Sequence, residues 1–358
     1  MRTLAIVNQK GGCGKTTTAI NLAAALAEQG SRVLVVDMDP QGHCAAGLGV
    51  PDARIEFGMA QALLCEPPGG SDPMSWLWEC ARGVRLAPST VALAGLESAR
   101  GGLACLSDRD RRLARMLERV ARHFDWCVID CPPTIGYLTF NALRAADEAI
   151  VPVETGYFAL MGAQRQLATV EALVKQVGRA LPVRLVPTLH RDGSQLSGDI
   201  LGALQRRFGA QVSPAPVRDH EVLREAASLG QSVVEFAPGS GAHEDFRALA
   251  VWIAQAPPTP APLVPPGGSA APGGAATPGT LGQPAPGAPV HSAEAVETGA
   301  TALEVYVSEA AAALLRDGRG YGAGPDAGHG RAAELAQRMR LSGSPGAGRA
   351  QGGSEPTD

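Results

Sequence analysis

A short apolar run, followed at once by a glycine-rich segment that ends in Lys-Thr, restricts this chain to few folds. Residues 3–18 read TLAIVNQKGGCGKTTT, a pattern that predicts a buried strand, a tight loop and the start of a helix. Glycine backbones can aim several N–H groups at one point, and a helix N-terminus adds a partial positive charge that favours a polyphosphate. The segment therefore predicts a nucleotide site. The simpler alternative is a glycine-rich turn that happens to end in Lys-Thr.

The residues of this loop have separate expected roles. Lys15 supplies a point charge for the terminal phosphates, and the hydroxyl of Thr16 is placed to hold a magnesium ion. The remaining loop positions are expected to surround the nucleotide: Gly11, Gly12, Cys13, Gly14 and Thr17.

A second lysine opens the loop. Lys10, Lys15 and Lys175 are the only lysines of the sequence, since arginine fills the other basic positions. A compact ammonium suits a phosphate site where a wide guanidinium would fit poorly. KGGCGKTT resembles the deviant Walker A box of the ParA/MinD family of partitioning ATPases, and is most similar to that of the ParA/Soj-type members. The resemblance implies that Lys10 crosses a dimer interface and contacts the nucleotide held by the other subunit.

Two aspartates follow the next predicted strand. The run RVLVVD is rich in β-branched residues, which is typical of a strand buried in a parallel sheet, and it leads into Asp37-Met38-Asp39-Pro40-Gln41-Gly42. Carboxylates at the carboxyl end of such a strand face the ligand crevice of α/β folds, although a pair of turn-forming aspartates is the alternative. The string resembles the switch region of ParA proteins, which implies that Asp39 activates the attacking water and that Asp37 lies near the metal.

A third motif begins at residue 126, with WCVIDCPPTIGYLTFNALRAADEAIVPV. Its predicted strand ends on Asp130, a carboxylate that can hold magnesium through the water shell of the ion. The segment resembles the Walker B region of ParA/Soj-type proteins almost residue for residue. Cys127 and Cys131 are close enough in sequence for a metal pair, but we favour two packing thiols.

The resemblance extends with looser motifs to about residue 256. It places the adenine near Thr188, after the predicted strand 183–187, and a turn that covers the base near Arg218. It implies an α/β fold of the P-loop NTPase class, with a mostly parallel twisted sheet and helices on both faces. We therefore expect a ParA-like ATPase domain over residues 1–256.

The composition changes at residue 256. Proline, glycine and alanine dominate to about residue 292, which cannot bury a core, so we predict a largely disordered tail over 257–358. The stronger of two short helix candidates in the tail lies at 301–316, where Thr301 and Glu304 form a capping-box pattern. A docking helix and a transient helix are both open, and we favour the transient one because short isolated helices are marginal.

Overall charge and cysteine usage limit the location and the partners. A formal net charge of −4 and a pI of about 6.0 do not indicate a nucleic-acid binder, so any DNA contact needs a local basic face. The seven cysteines form no CxxC pair, which favours reduced thiols in a cytoplasmic protein. The sequence starts directly with a predicted strand, and no apolar run is long enough to span a bilayer.

The resemblance implies ATP and Mg²⁺ as cofactors, a homodimer in the ATP state, and slow hydrolysis that a ParB-like adaptor or a cargo protein stimulates. Non-specific DNA is a further candidate partner, as DNA serves ParA proteins as a track. Two family arginines fall on Gly193 and Val222 in an ungapped alignment; other arginines are candidate substitutes or ordinary surface residues: Arg191, Arg206, Arg207, Arg218, Arg224 and Arg247.

Two other functional classes are weighed. A MinD-like, membrane-positioned ATPase would need a basic amphipathic helix that the sequence does not show, so we do not expect a membrane partner. A metabolic P-loop enzyme would need a substrate pocket or a cysteine pair at a dimer interface. The cargo, the adaptor and the role of the tail are left open by the sequence.

Overall fold

The computed structural model describes residues 1–65, 72, 74–97, 102–156, 162–163, 167–170, 172–173 and 180–255. Seven strands form one sheet in the order β3-β4-β2-β5-β1-β6-β7. Every neighbouring pair is parallel except β3 with β4. The strands are β1 (Arg2–Ile6), β2 (Val33–Asp37), β3 (Trp78–Ala81), β4 (Val84–Ala87), β5 (Trp126–Asp130), β6 (Glu148–Glu154) and β7 (Val183–Thr188).

Nine helices are described, apart from short 3₁₀ turns and the helical residues between 162 and 173. They are α1 (Lys15–Glu28), α2 (His43–Gly47), α3 (Met59–Leu64), α4 (Arg112–Val120), α5 (Tyr137–Ala145), α6 (Gln195–Phe208), α7 (Glu221–Ser228), α8 (Val233–Phe236) and α9 (Gly241–Ala254). They pack in two groups: α1 contacts α8 and α9, whereas α4 contacts α3 and α5. The predicted class, a mostly parallel sheet with helices on both faces, is confirmed.

The central strands form because their side chains are apolar on both faces. All five residues of β2 are buried, as are six of the seven in β6, the pattern expected of a parallel sheet that helices cover on both sides. Helix α1 is rich in alanine and leucine, strong helix formers, and its apolar side chains join those of α9 in the main core. This packing fixes the start of α1 against the carboxyl ends of the strands.

Two tryptophans lie at or just before the edge strand β3. Trp76 is buried and packs edge-on against Phe57, whereas Trp78 is half-buried on the edge strand β3. No helix in the described part of the chain is long and apolar enough to cross a membrane. The predicted disordered tail and its helix candidate at 301–316 lie outside the described residues, so the domain boundary at 256 stays a prediction.

Candidate nucleotide-binding site

Neighbouring strands bring two carboxylates to one edge of the sheet. Asp37 ends β2 and Asp130 ends β5, and the two residues lie opposite one another in the parallel pairing of these strands. β1 pairs with the other side of β5, where Ile6 lies opposite Asp130. The loop that follows β1 therefore starts beside both carboxylates, at the edge where parallel α/β sheets bind ligands.

That loop requires glycine at two positions. Gly12 and Gly14 have φ angles of 73° and 87°, in the left-handed region that strains other residues. Gly14 precedes α1 and offers no side chain to cap it, and the first turn of α1 has no acidic residue. The first N–H groups of α1 are consequently left for an external anion.

Lys15 is a buried cation inside the loop. The residue is only 8% exposed, and its Nζ donates a 3.3 Å hydrogen bond to the backbone carbonyl of Lys10. A neutral carbonyl neutralises a buried ammonium poorly, whereas a phosphate oxygen forms a charge-assisted hydrogen bond with it. The position of Lys15 therefore fits its predicted role at the phosphates.

Thr16 and Asp130 are joined directly. Thr16 Oγ1 donates a 2.6 Å hydrogen bond to Oδ2 of Asp130, while Oδ1 of Asp130 is buried and has no hydrogen-bond partner among the described residues. A buried carboxylate oxygen without a partner is costly. Because magnesium prefers oxygen ligands such as carboxylates, this pair of side chains fits a magnesium ion beside the phosphates.

Asp37 is held in place by backbone groups. Its Oδ1 accepts a hydrogen bond from the N–H of Asp39 at 3.0 Å, and its Oδ2 accepts one from the N–H of Cys44 at 3.1 Å. Burial and the nearby charge of Asp130 raise the pKa of Asp37 well above its ordinary value. Burial also raises the pKa of Asp130, to about 6. Two buried carboxylates this close together favour a cation beside them.

Asp39 lies two residues further, at the start of a turn. Its Oδ1 accepts a 3.0 Å hydrogen bond from the N–H of Gln41, and its backbone carbonyl accepts one from the N–H of Gly42. These bonds occupy one carboxylate oxygen and fix the direction of the side chain. The second oxygen is the one with which Asp39 can orient a water molecule.

Lys10 lies at the outer rim of the loop. Its side chain is 60% exposed, and its ammonium forms an ion pair with the carboxylate of Glu154 at the end of β6. The backbone of Lys10 is held by Asn8, whose side chain accepts its N–H at 2.9 Å and donates to the carbonyl of Pro152 at 2.6 Å. Lys10 and Lys15 therefore face different surroundings, one in solvent and one inside the loop.

Thr188 and Cys13 join β7 to the loop. Oγ1 of Thr188 donates a 2.9 Å hydrogen bond to the backbone carbonyl of Cys13, and both residues are buried. Burial raises the pKa of the Cys13 thiol, so the thiol stays protonated. Thr188 is thus beside the loop that should hold the phosphates, and its predicted proximity to the adenine stays a prediction.

The guanidinium of Arg218 forms ion pairs with two acidic side chains. Its guanidinium forms bonds of 2.7 to 3.0 Å with both carboxylate oxygens of Asp245 and lies 3.3 Å from Asp192. Hydrogen bonding to Asp245 raises the pKa of Arg218. This ion pair fixes the turn that carries Arg218, and the contact of that turn with the base stays a prediction.

Two of the other candidate DNA-binding arginines also form ion pairs with acidic side chains. Arg191 and Arg224 both contact Asp219, at 3.4 and 3.0 Å, and Arg224 also contacts Glu221 at 3.0 Å. Of the two positions where the family has arginine, Gly193 has a left-handed φ of 78°, and Val222 packs against the core. The charges of these arginines are therefore largely balanced within the chain.

The sequence analysis did not predict three residues that contact residues of the site. Glu154 could have been predicted, because it lies at the end of a predicted parallel strand just as Asp37 and Asp130 do. No sequence pattern predicts the role of Asp245, since it pairs with a residue 27 positions away. No sequence pattern predicts the position of Cys44 either, although its Sγ lies 3.4 Å from Oδ2 of Asp130.

The sequence matches known proteins over the same region. A profile of the AAA domain family matches residues 1–183. Sporulation initiation inhibitor protein Soj of Bacillus subtilis is 35% identical over 253 residues, which are 70% of this chain and 97% of Soj. Chromosome partitioning protein ParA of Myxococcus xanthus is 34% identical, over 69% of this chain and 86% of that protein.

Solved structures share the fold. Cobyrinic acid a,c-diamide synthase from Mycobacterium smegmatis, with bound ATP analog and magnesium, has a TM-score of 0.59 and 32% identity, covering 70% of this chain and 93% of that one. The apo McdA structure from Cyanothece has a TM-score of 0.60 at 24% identity, covering 71% of this chain and 99% of that one, a likeness of fold alone. Together with the site geometry, these matches show that the chain belongs to the ParA/Soj-type ATPase family.

Proposed function

We propose that the chain is a magnesium-dependent ATPase whose ATP-bound homodimer is a switch for partitioning or positioning DNA or a protein cargo. Hydrolysis is slow, and a ParB-like adaptor or the cargo itself stimulates it. Relatives named as chromosome partitioning proteins support this proposal, as does the fit of the loop to a bound triphosphate.

The contrast between the two loop lysines is the observation that carries the proposal. Lys15 is inside the loop, where it can neutralise the phosphates of its own nucleotide. Lys10 is on the rim with an exposed ammonium whose described ion-pair partner is Glu154. An exposed ion pair of this kind is worth little, so Lys10 can exchange Glu154 for the triphosphate of a second subunit.

In the proposed mechanism, the residues of this chain position positive charge around the phosphates of ATP. The N–H groups at the start of α1 and the ammonium of Lys15 hold the phosphates, while Thr16 and Asp130 hold magnesium, which supplies positive charge to the phosphate oxygens. Asp39 orients the attacking water. A loose phosphoryl transition state is stabilised mainly by positive charge in the right position. A site that lacks the partner's Lys10 therefore hydrolyses ATP slowly, and the rate of hydrolysis depends on formation of the dimer.

A DNA track needs arginines that are not already balanced. Arg191, Arg218 and Arg224 all contact acids. Arg206 and Arg247 are exposed, and neither forms an ion pair within the described residues. Non-specific DNA binding depends on positive charge that is free to face the phosphates, and these two exposed arginines carry such charge, so we assign them to the DNA contact of the ATP-bound dimer.

The test compares DNA binding and self-association of the full chain with ATP, ADP and no nucleotide. The proposal expects a dimer only with ATP, and gel shifts of non-specific DNA that weaken between two salt concentrations. Arg206→Ala with Arg247→Ala lowers the salt slope by about two for each subunit that contacts DNA, whereas Arg224→Ala changes it little. Liposomes serve as a control, since membrane binding would favour the MinD-like alternative. A monomer with ATP would overturn the switch.

A metabolic ligase-like enzyme is the second candidate, because one similar structure at 32% identity is named a synthase. Such an enzyme turns over ATP only with a small acceptor molecule. ATP-dependent dimerisation together with DNA or adaptor stimulation in the absence of any acceptor separates the two candidates in favour of the partitioning switch.

A further inference from the structure

A thiol lies inside the carboxylate cluster. Sγ of Cys44 is 3.4 Å from Oδ2 of Asp130, and the backbone N–H of Cys44 binds Asp37. All three residues are buried, and one ligand atom from each lies within 4.8 Å of the other two. The proposed magnesium site uses only oxygen ligands, so the function proposed above gives the sulfur no role.

The spacing suits a tetrahedral ion. With a metal–sulfur distance of about 2.3 Å and a metal–oxygen distance of about 2.0 Å, two ligands of a tetrahedral zinc ion lie about 3.5 Å apart. Sγ of Cys44 donates a hydrogen bond to Oδ2 of Asp130 over 3.4 Å, which is close to that edge length. Cys44 and Asp130 are therefore already spaced to share one ion, and a ligand atom of Asp37 lies within 4.8 Å of both.

The buried carboxylate oxygen of Asp130 that fits magnesium is also open to another cation. Oδ1 of Asp130 has no hydrogen-bond partner among the described residues, although the residue is only 1% exposed. The two oxygens of Asp37 are each bound by one N–H group and retain further lone pairs. A cation satisfies the unpaired oxygen and the paired negative charges together.

The sulfur decides which cations the cluster prefers. Thiolate is a soft ligand that selects zinc and similar ions, whereas magnesium takes oxygen ligands and rejects sulfur. We propose that Asp37, Cys44 and Asp130 form a binding site for one thiophilic divalent cation of the zinc class, which competes with magnesium for Asp130. On binding, the S–H bond of Cys44 breaks, a sulfur–metal bond forms and the proton passes to solvent, with no change of oxidation state.

The test uses the full chain, stripped of metal and free of nucleotide, with Co²⁺ as the probe. Binding of one Co²⁺ per chain gives a near-ultraviolet thiolate-to-cobalt charge-transfer band. Cys44→Ser removes this band and weakens Zn²⁺ binding at least about tenfold, because a hard hydroxyl replaces the soft sulfur. Cys127→Ser, at a buried thiol on β5 outside the cluster, keeps both.

The competition is read in the same sample. Adding excess magnesium with a non-hydrolysable ATP analogue lowers the cobalt band if Asp130 serves both ions. Circular dichroism checks the folding of each variant, and Cys44→Ala is the second variant should Cys44→Ser not fold.

A band that survives in the folded Cys44 variants, or no band in the parent chain, overturns the site. A band that is unaffected by magnesium and nucleotide overturns the competition. Since the band is read without ATP and without dimerisation, a failure of the partitioning switch does not alter this result.

Discussion

The ammonium of Lys10 forms an ion pair with the carboxylate of Glu154 in the same chain. The pair joins the start of the loop to the end of β6, two strand ends that the parallel sheet places side by side. The side chain of Lys10 is 60% exposed and that of Glu154 is 34% exposed, so solvent screens the pair and it holds Lys10 only weakly. In the proposed dimer, Lys10 leaves this carboxylate for the nucleotide of the other subunit.

Replacing Lys10 by alanine is expected to abolish ATP-dependent dimerisation and to lower hydrolysis about 100-fold, the scale found when one charge donor to a transition state is removed. Light scattering with and without ATP measures the first effect, and phosphate release measures the second. Glu154→Gln is the matched control, because it releases Lys10 without removing it. We expect this variant to dimerise at least as well as the parent. Unchanged dimerisation of Lys10→Ala would contradict the proposed switch.

Asp39→Ala is expected to separate binding from hydrolysis. The side chain lies on a turn with one carboxylate oxygen bound by the N–H of Gln41, so its loss removes the group that orients the water but none that holds the phosphates. Turnover should fall at least about 100-fold, with nucleotide affinity nearly unchanged and the ATP dimer accumulating. Nucleotide binding by fluorescence and turnover on the same preparation provide the check. A parallel loss of affinity would assign Asp39 a binding role instead.

The fold and the nucleotide loop could be predicted from the sequence because their signals are local. The run around Val33–Asp37 is apolar on both faces, and Gly12 and Gly14 occupy the positions that need a positive φ. Such patterns depend on neighbours in the sequence.

The rest of the site depends on contacts between distant residues. The sequence predicts Arg218 near the base, yet its guanidinium binds Asp245, 27 residues further along the chain. The proximity of Cys44 to Asp130 spans 86 residues. No local pattern indicates which buried polar groups will meet, since this follows from strand order and helix packing.

Asp130→Asn is expected to remove the magnesium dependence of nucleotide affinity. The amide keeps the shape of the side chain and accepts the hydrogen bond from Thr16, but it lacks the negative charge that a magnesium ion needs. The dissociation constant of a fluorescent nucleotide is measured once with magnesium and once with a chelator. The two values should differ about tenfold or more in the parent and little in the variant. Asp125→Asn, at an exposed aspartate paired with Arg32, is the matched control and should keep the full difference.

A buried ion pair at the opposite end of the strands gives a prediction on stability. Arg184 is 1% exposed, and its Nε lies 2.5 Å from Oε1 of Glu148. The same guanidinium donates to the carbonyls of Trp252 at 2.6 Å and Gln255 at 2.9 Å. It therefore binds the end of α9 to β6 and β7.

Glu148→Gln is expected to lower the free energy of unfolding by about 3–5 kcal/mol, because it leaves the buried guanidinium of Arg184 without its counter-charge. Arg85→Ala removes an exposed pair with Glu79 and should cost about 0–1 kcal/mol. Urea denaturation followed by circular dichroism compares the two. Adding Arg184→Met to Glu148→Gln should recover part of the loss, since the unpaired charge is gone. If both single variants unfold at the same urea concentration as the parent, the buried pair does not hold α9 in place.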